Sequence, residues 1–261
     1  MADTSDHLLA ENLAGGAGVL LIRLRDRLTS AGADPDVLRT AGDLAAHQYL
    51  LDRLRNERSS DSVLSEEDSD DDTARSERLS AERVWIIDPL DGTREYGEGR
   101  DDWAVHVALV ENHRPTVGAV ALPARNLVLS TRSPQVLHES PPETIRVAVS
   151  RTRPPEIART VAERLGATLV PMGSAGVKVV SVLLGESDVY LHAGGQKQWD
   201  NCAPVAVAVA AGAECTRLDG SELLYNLPAV EIDDLLVTRR ELTAQVRQAI
   251  DDGSTFVGGA G

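Results

Sequence analysis

With 261 residues, 42% of them hydrophobic, the chain can bury one large core or two modest ones, and 3% aromatic content leaves that core mostly to Leu, Val, Ile and Ala. A net charge of −15 argues against nucleic acid or an anionic membrane as the main partner. It leaves room for a small anion, because bound cations reverse the local sign of a carboxylate-rich site.

Met1–Asp6 has neither the basic start nor the apolar run of a secretory leader, and no apolar stretch is long enough to span a bilayer. Cys202 and Cys215 stand in apolar surroundings outside any ligand spacing, which reads as free thiols in a reducing cytoplasm. Leu9, Leu13, Leu20, Leu21, Leu24 and Leu28 recur at helical spacing through 7–30. A second helix is expected from Asp43 to about Arg58, with Leu44, Leu51 and Leu54 turned inward. Short strands are expected at 63–65, 84–87, 103–110, 117–121 and 127–130, the last three as an antiparallel meander.

Thr131–Thr144, rich in proline and serine, reads as a linker. Beyond it, strands at 145–149, 168–170, 188–191 and 235–237 alternate with helices at 155–165, 174–184, 200–211 and 240–251. This gives an N-terminal α+β half over 1–140, a C-terminal α/β half over 141–252 and a disordered tail over 253–261, with the site between the halves.

The most informative stretch is Trp85-Ile-Ile-Asp-Pro-Leu-Asp-Gly-Thr93. A buried strand is expected to end on Asp88, Pro89 to force a turn, Asp91 to follow, and Gly92-Thr93 to open a helix. Two hard oxygen ligands then stand beside free backbone N–H groups, an arrangement suited to a divalent cation and a phosphate. Asp43, Glu66-Glu67 and Asp200 lie at other expected element ends. Read singly, Asp43 and Asp200 are helix caps and the Glu pair is solvated, as is the acidic loop 67–72.

Together, Val63-Leu-Ser-Glu-Glu-Asp68, Trp85–Thr93 and Gln198-Trp-Asp200 resemble the signature motifs of the lithium-sensitive, magnesium-dependent phosphatases of the inositol monophosphatase / fructose-1,6-bisphosphatase superfamily. Thr40-Ala-Gly-Asp43, Gly173-Ser174 and Ala211-Gly212 extend the likeness over nearly the whole chain. The resemblance implies a layered α/β fold, the alternating αβαβα sandwich of the sugar phosphatases, and two to three Mg²⁺ ions. Glu66, Asp88 and the Leu90 carbonyl would hold one ion, and Asp88 would bridge to a second on Asp91 and Asp200. A third would lie near Glu66 and Glu67. Gly92 and Thr93 would bind the phosphate, and Thr93 linked to Asp43, with Glu67 beside them, would activate water. The all-oxygen ligand set suits Mg²⁺, and two ions about 4 Å apart suit hydrolysis of a phosphate ester.

Arg94-Glu95-Tyr96 resembles the bacterial CysQ-type 3′(2′),5′-bisphosphate nucleotidase branch, which removes the 3′-phosphate of adenosine 3′,5′-bisphosphate in connection with sulfur assimilation. The alternatives are an inositol monophosphatase, a fructose-1,6-bisphosphatase, or a non-catalytic binder of phosphorylated ligands. The chain's two lysines, Lys178 and Lys197, are candidates for a second phosphate, and Arg94, Arg151, Gly173 and Ser174 are further candidate substrate contacts. Ser150-Arg151-Thr-Arg153 is another candidate anion contact, and Arg100, in the loop 97–102, could reach the substrate. The bland readings are an exposed Arg94-Glu95 pair and lysines lying along helix faces. A small phosphorylated substrate is the expected partner, and the chain is expected to be a monomer or homodimer.

Overall fold

The computed structural model describes residues 2–67, 72–137 and 142–257, with side chains described to residue 252. The elements, in order, are α1 (Thr4–Ser30), α2 (Pro35–Glu57), β1 (Ser62–Ser65), α3 (Asp72–Ser80), β2 (Arg83–Asp91), α4 (Thr93–Gly97), β3 (Ala104–Glu111), β4 (Arg114–Leu122) and β5 (Leu127–Ser130). After residues 131–144 come β6 (Arg146–Ser150), α5 (Glu156–Leu165), β7 (Thr168–Met172), α6 (Ala175–Leu183), β8 (Val189–Lys197), α7 (Gln198–Ala210), β9 (Glu214–Thr216), β10 (Glu231–Thr238) and α8 (Thr243–Val257).

The strands form two five-stranded sheets, in the orders β1-β2-β3-β4-β5 and β7-β6-β8-β10-β9. In the first only β1 and β2 are parallel, so 104–130 is the expected meander. Three apolar clusters separate the layers. Leu13, Leu21 and Leu50 of α1 and α2 pack on Trp85, Ile87 and Val107. Ile86, Ala108 and Val120 meet Val180 of α6 and Val207 of α7, which in turn meet Tyr190 and Leu235 of the second sheet. Val161 of α5 and Val246 of α8 cover Val147 and Leu191 on its far face. The result is the expected αβαβα layering. Val84–Ile87 is continuously apolar because helices cover both faces of β2.

Four local expectations are corrected. First, α2 starts at Pro35, capped by the Asp34 carboxylate on the N–H groups of Asp36 and Val37, so Asp43 lies inside the helix and is no cap. Gly42 within the helix makes a close contact: a methyl there would stand 2.8 Å from Tyr96 Cε1 and 3.0 Å from Leu90 Cδ2. Second, Leu44 is 64% exposed, because the inward stripe runs through Leu38, Ala46, Leu50 and Leu54.

Third, β2 does not turn at Pro89. It continues to Asp91, with Asp88 opposite His106 and Asp91 opposite Ala104, so Pro89 and Leu90 face Val105 alone. This is a bulge, where a residue without an N–H is tolerated. Fourth, α8 runs to Val257, into the segment expected to fray; 258–261 lie outside the described residues, as do parts of the acidic loop and linker. Helix α3 and strand β9 were not anticipated. Both cysteines are free, and no helix among the described residues is long and apolar enough to cross a membrane.

Candidate active site

The bulge in β2 directs two carboxylates towards the layer of α6 and α7. Asp88 is 1% exposed, and its Oδ1 accepts the Leu90 N–H at 3.1 Å. Asp91 Oδ2 accepts from Ser174 Oγ at 2.5 Å and the Gly176 N–H at 2.8 Å. Gly92 then takes a φ of 92°, open to glycine, and a Cβ there would stand 3.1 Å from Trp103 Cβ. Below this turn Tyr96 and Trp103 meet edge to face at 5.0 Å, and the Tyr96 hydroxyl donates to the Leu21 carbonyl. The Thr93 hydroxyl donates to the Leu90 carbonyl at 3.1 Å, and no hydrogen bond joins it to Asp43 among the described residues.

The other acidic residues come from separate elements: Asp43 from α2, Glu66 and Glu67 from the end of β1, and Asp200 from the first turn of α7. The capping role weighed for Asp200 is partly real, since its Oδ2 accepts the Lys197 N–H at 2.6 Å. Burial first, and one another's charge second, push these groups up. Burial, then Asp91, Glu66 and Asp200, hold Asp88 well above the carboxylate range. Burial, then Glu67, pushes Asp43 up to about 7. Burial, then Asp91, pushes Asp200 up to about 7. Glu66 rises to about 8, through crowding by protein atoms first and then through Asp200, Asp43, Asp91 and Glu67, although its outer face is solvent-exposed.

A carboxyl with a raised folded-state pKa stabilises the fold below its unfolded value, near 4, and that contribution is lost as pH rises through the folded value. The metal-free protein is therefore expected to melt at progressively lower temperature from about pH 5 to pH 8, the window set by these shifts. Melting curves in excess chelator check this; a melting temperature that rises across the window contradicts it.

The donor set is hard oxygen throughout. Among the described residues no Lys or Arg forms an ion pair with Asp43, Glu66, Asp88, Asp91 or Asp200. In this arrangement no three His, Cys, Asp or Glu side chains among the described residues converge closely enough to hold an ion. The carboxylates repel one another and turn to protein donors instead. The chemistry of the set fits a hard divalent cation, which would have to draw them together.

A cleft of about 300 Å³ opens beside this cluster, lined by Asp91, Gly92, Thr93 and Asp200 and by Ser150, Arg151 and Arg153 among others. Arg94, Gly173, Ser174, Lys178 and Gln196 also line it. A larger, apolar groove of about 410 Å³ between α1 and the β4–β5 edge has only Arg23 as a charged group and lacks the chemistry.

Several sequence-predicted contacts are placed differently. Lys178 is 5% exposed, and its ammonium donates to the carbonyls of Gly173, at 2.7 Å, and Ser174. Burial lowers its pKa to about 8. Lys197 is turned to Glu231 and does not line the cleft. Arg100 donates to Asp102. Glu95 is not half of an exposed pair: it is buried and takes Arg151 Nη2, while Arg151 Nη1 binds Asp102 at 2.8 Å.

Two functional neighbours escaped the sequence reading. His106 is fully buried, with Nδ1 3.1 Å from the Trp199 carbonyl and Nε2 3.3 Å from Asp91 Oδ2. A lone titratable residue in the otherwise apolar run 104–110 was the available signal. Asp102 accepts from Arg100, Arg151 and the Gly173 N–H, which ties the two sheets' loops together beside the cleft.

The chain belongs to the inositol monophosphatase family, whose model matches residues 6–252. Members of that family generally depend on a metal ion. The chain is 45% identical over 255 residues to a 3′-phosphoadenosine 5′-phosphate phosphatase of Mycobacterium leprae (strain TN), with 92% of each chain covered. It is 31% identical over 231 residues to the 3′(2′),5′-bisphosphate nucleotidase CysQ of Escherichia coli O157:H7, covering 82% of this chain and 91% of that one. The crystal structure of CysQ from Bacteroides thetaiotaomicron shares the fold at a TM-score of 0.79 and 24% identity, covering 91% of this chain and 98% of that one.

Proposed function

We propose that this protein is a Mg²⁺-dependent phosphatase that removes the 3′-phosphate of adenosine 3′,5′-bisphosphate to give AMP, a reaction linked to sulfur assimilation. The observation that carries the reading is one cleft lined both by carboxylates with the Gly92-Thr93 turn and by guanidinium groups, in a chain of net charge −15. That combination suits a ligand with one phosphate to be cleaved and another to be held. The names of the 45%-identical relative and of CysQ support the same substrate class.

Glu66, Asp88, Asp91, Asp200 and the Leu90 carbonyl would hold two Mg²⁺ ions, with Glu67 near a third. Bound there, the ions supply activation of water and neutralisation of charge on the phosphoryl and leaving oxygens. The chain's own groups do the rest. The N–H groups of Gly92 and Thr93 orient the phosphate, and the Thr93 hydroxyl positions the attacking water. Asp43, which burial and then Glu67 push up to about 7, accepts the proton in its ionised form. Thr93→Ala is then expected to lower kcat by about 10²–10⁴ with little change in Mg²⁺ binding. A change confined to KM would remove Thr93 from the chemical step.

The substrate reading is tested by kcat/KM for adenosine 3′,5′-bisphosphate, inositol 1-phosphate and fructose 1,6-bisphosphate, measured side by side with Mg²⁺. The nucleotide is expected to be preferred. A preference for inositol 1-phosphate overturns the substrate reading and leaves the metal chemistry in place.

A further inference from the structure

Basic residues in this acidic protein are mostly engaged by carboxylates or carbonyls, and the exceptions at the cleft are informative. Lys178 is buried and donates to the Gly173 and Ser174 carbonyls. Ser174 sits at φ 36°, an uncommon conformation for a residue with a side chain, and its Oγ caps the Val177 N–H while donating to Asp91. The lysine thus holds the turn that holds Asp91. Arg151 lines the cleft but is clamped between Glu95 and Asp102, which offset its charge. Its guanidinium ties the loop after β6 to residues 95–102.

Arg94 and Arg153 differ from both. Each lines the cleft and is exposed, and neither guanidinium has a carboxylate or carbonyl partner among the described residues. They come from opposite halves of the sequence, Arg94 from α4 beside the Gly92-Thr93 turn and Arg153 from the segment after β6. The Arg153 N–H, 3.3 Å from Ser150 Oγ, fixes the backbone of that segment. The cleft walls also carry Asp91, Glu95 and Asp200, so an anion entering it needs uncommitted positive charge as well as a metal at the reacting end. A guanidinium with all its N–H groups available is the better partner for a phosphate's oxygens than one already fixed on two carboxylates.

Resting on the function proposed above, we infer that Arg94 and Arg153 together form the subsite for the phosphate that is not cleaved. In this assignment they make the enzyme select bisphosphorylated nucleotides over monophosphorylated ones. Lys178 and Arg151 are positioning residues, which act on the substrate through the Gly173-Ser174 turn and through Asp102.

The test compares adenosine 3′,5′-bisphosphate with adenosine 3′-monophosphate, which differs only in lacking the second phosphate. Each is assayed with the wild-type protein, Arg94→Met, Arg153→Met and the double variant, with Mg²⁺ saturating. Each single substitution is expected to lower kcat/KM for the bisphosphate about ten- to a hundred-fold, mainly through KM. The ratio of kcat/KM between the two substrates is expected to fall by nearly the same factor and to approach unity in the double variant. Arg153→Lys is expected to recover part of the loss, because a charge remains but the planar fork does not.

Equal losses on both substrates, or no loss on either, overturn the subsite. A wild-type protein that prefers inositol 1-phosphate to both nucleotides overturns the function itself. Neither guanidinium is part of a folded ion pair, and matching melting temperatures for the four proteins check that the substitutions act on binding.

Discussion

Asp88→Asn is expected to abolish phosphate release while leaving the metal-free fold at least as stable as the wild type. The two effects share one cause. Asp88 is the most deeply buried of the site's carboxylates, with Asp91, Glu66 and Asp200 all raising its pKa. Without a cation, its ionised form is held in place against like charge and desolvation. An amide has nearly the same shape, its oxygen can keep the Leu90 N–H, and its NH₂ can donate towards the neighbouring carboxylates. The same change removes the charge proposed to bridge two ions. Loss of several kcal/mol of charge stabilisation corresponds to a fall of about 10³-fold or more in turnover. Phosphate release, and melting curves with and without Mg²⁺, read the two halves of the prediction separately. Retained activity would remove Asp88 from the ligand set. A much lower metal-free melting temperature would show that its carboxylate has a structural partner.

The sequence was most legible where one local pattern had one structural solution. Continuous apolar strands between amphipathic helices can be covered only by layering, so two layered α/β halves followed from chain order, while the αβαβα order came from the family resemblance. The acidic motifs could be read as candidate ligands because residue type alone suggests that role: no neutral side chain supplies a hard anionic ligand. What remained illegible was decided by tertiary contact. Asp43 reads as the start of a helix, but the missing Cβ of Gly42 lets α2 lie against Tyr96 and Leu90, which brings Asp43 to the site from the middle of a helix. Pro89 reads as a turn, but a β-bulge against Val105 accommodates it and carries the strand on to Asp91. Lys178 and Lys197 read as anion contacts by their rarity. One is buried on the carbonyls of Gly173 and Ser174 just before it, and the other is paired with Glu231 far along the chain, and residue type reveals neither partner. His106 was hidden because a strand's alternation says nothing about which helix covers it.

Excess chelator is expected to remove all measurable phosphate release, and Mg²⁺ to restore it in a strongly pH-dependent way. The metal dependence follows from the electrostatics of the site. With Asp43 and Asp200 near 7 and Glu66 near 8, the metal-free site at neutral pH retains protons that bound ions must displace. Raising the pH from 6 to 8 removes that competition, so the Mg²⁺ concentration for half-maximal activity should fall steeply, by about tenfold per pH unit for each proton displaced. The stabilisation conferred by Mg²⁺ should grow over the same interval in which the metal-free protein loses stability. Li⁺ should inhibit, as the family resemblance implies. Activity titrations with Mg²⁺ at several pH values, together with proton release measured on Mg²⁺ addition in weak buffer, test the linkage directly. Full activity in excess chelator would end the metal mechanism. A Mg²⁺ requirement independent of pH, with no proton release, would leave the metal in place but show that these carboxyls are already ionised before it binds. In that case the repulsion among them would be relieved by a route other than protonation, and the metal-free melting temperature would not fall as pH rises.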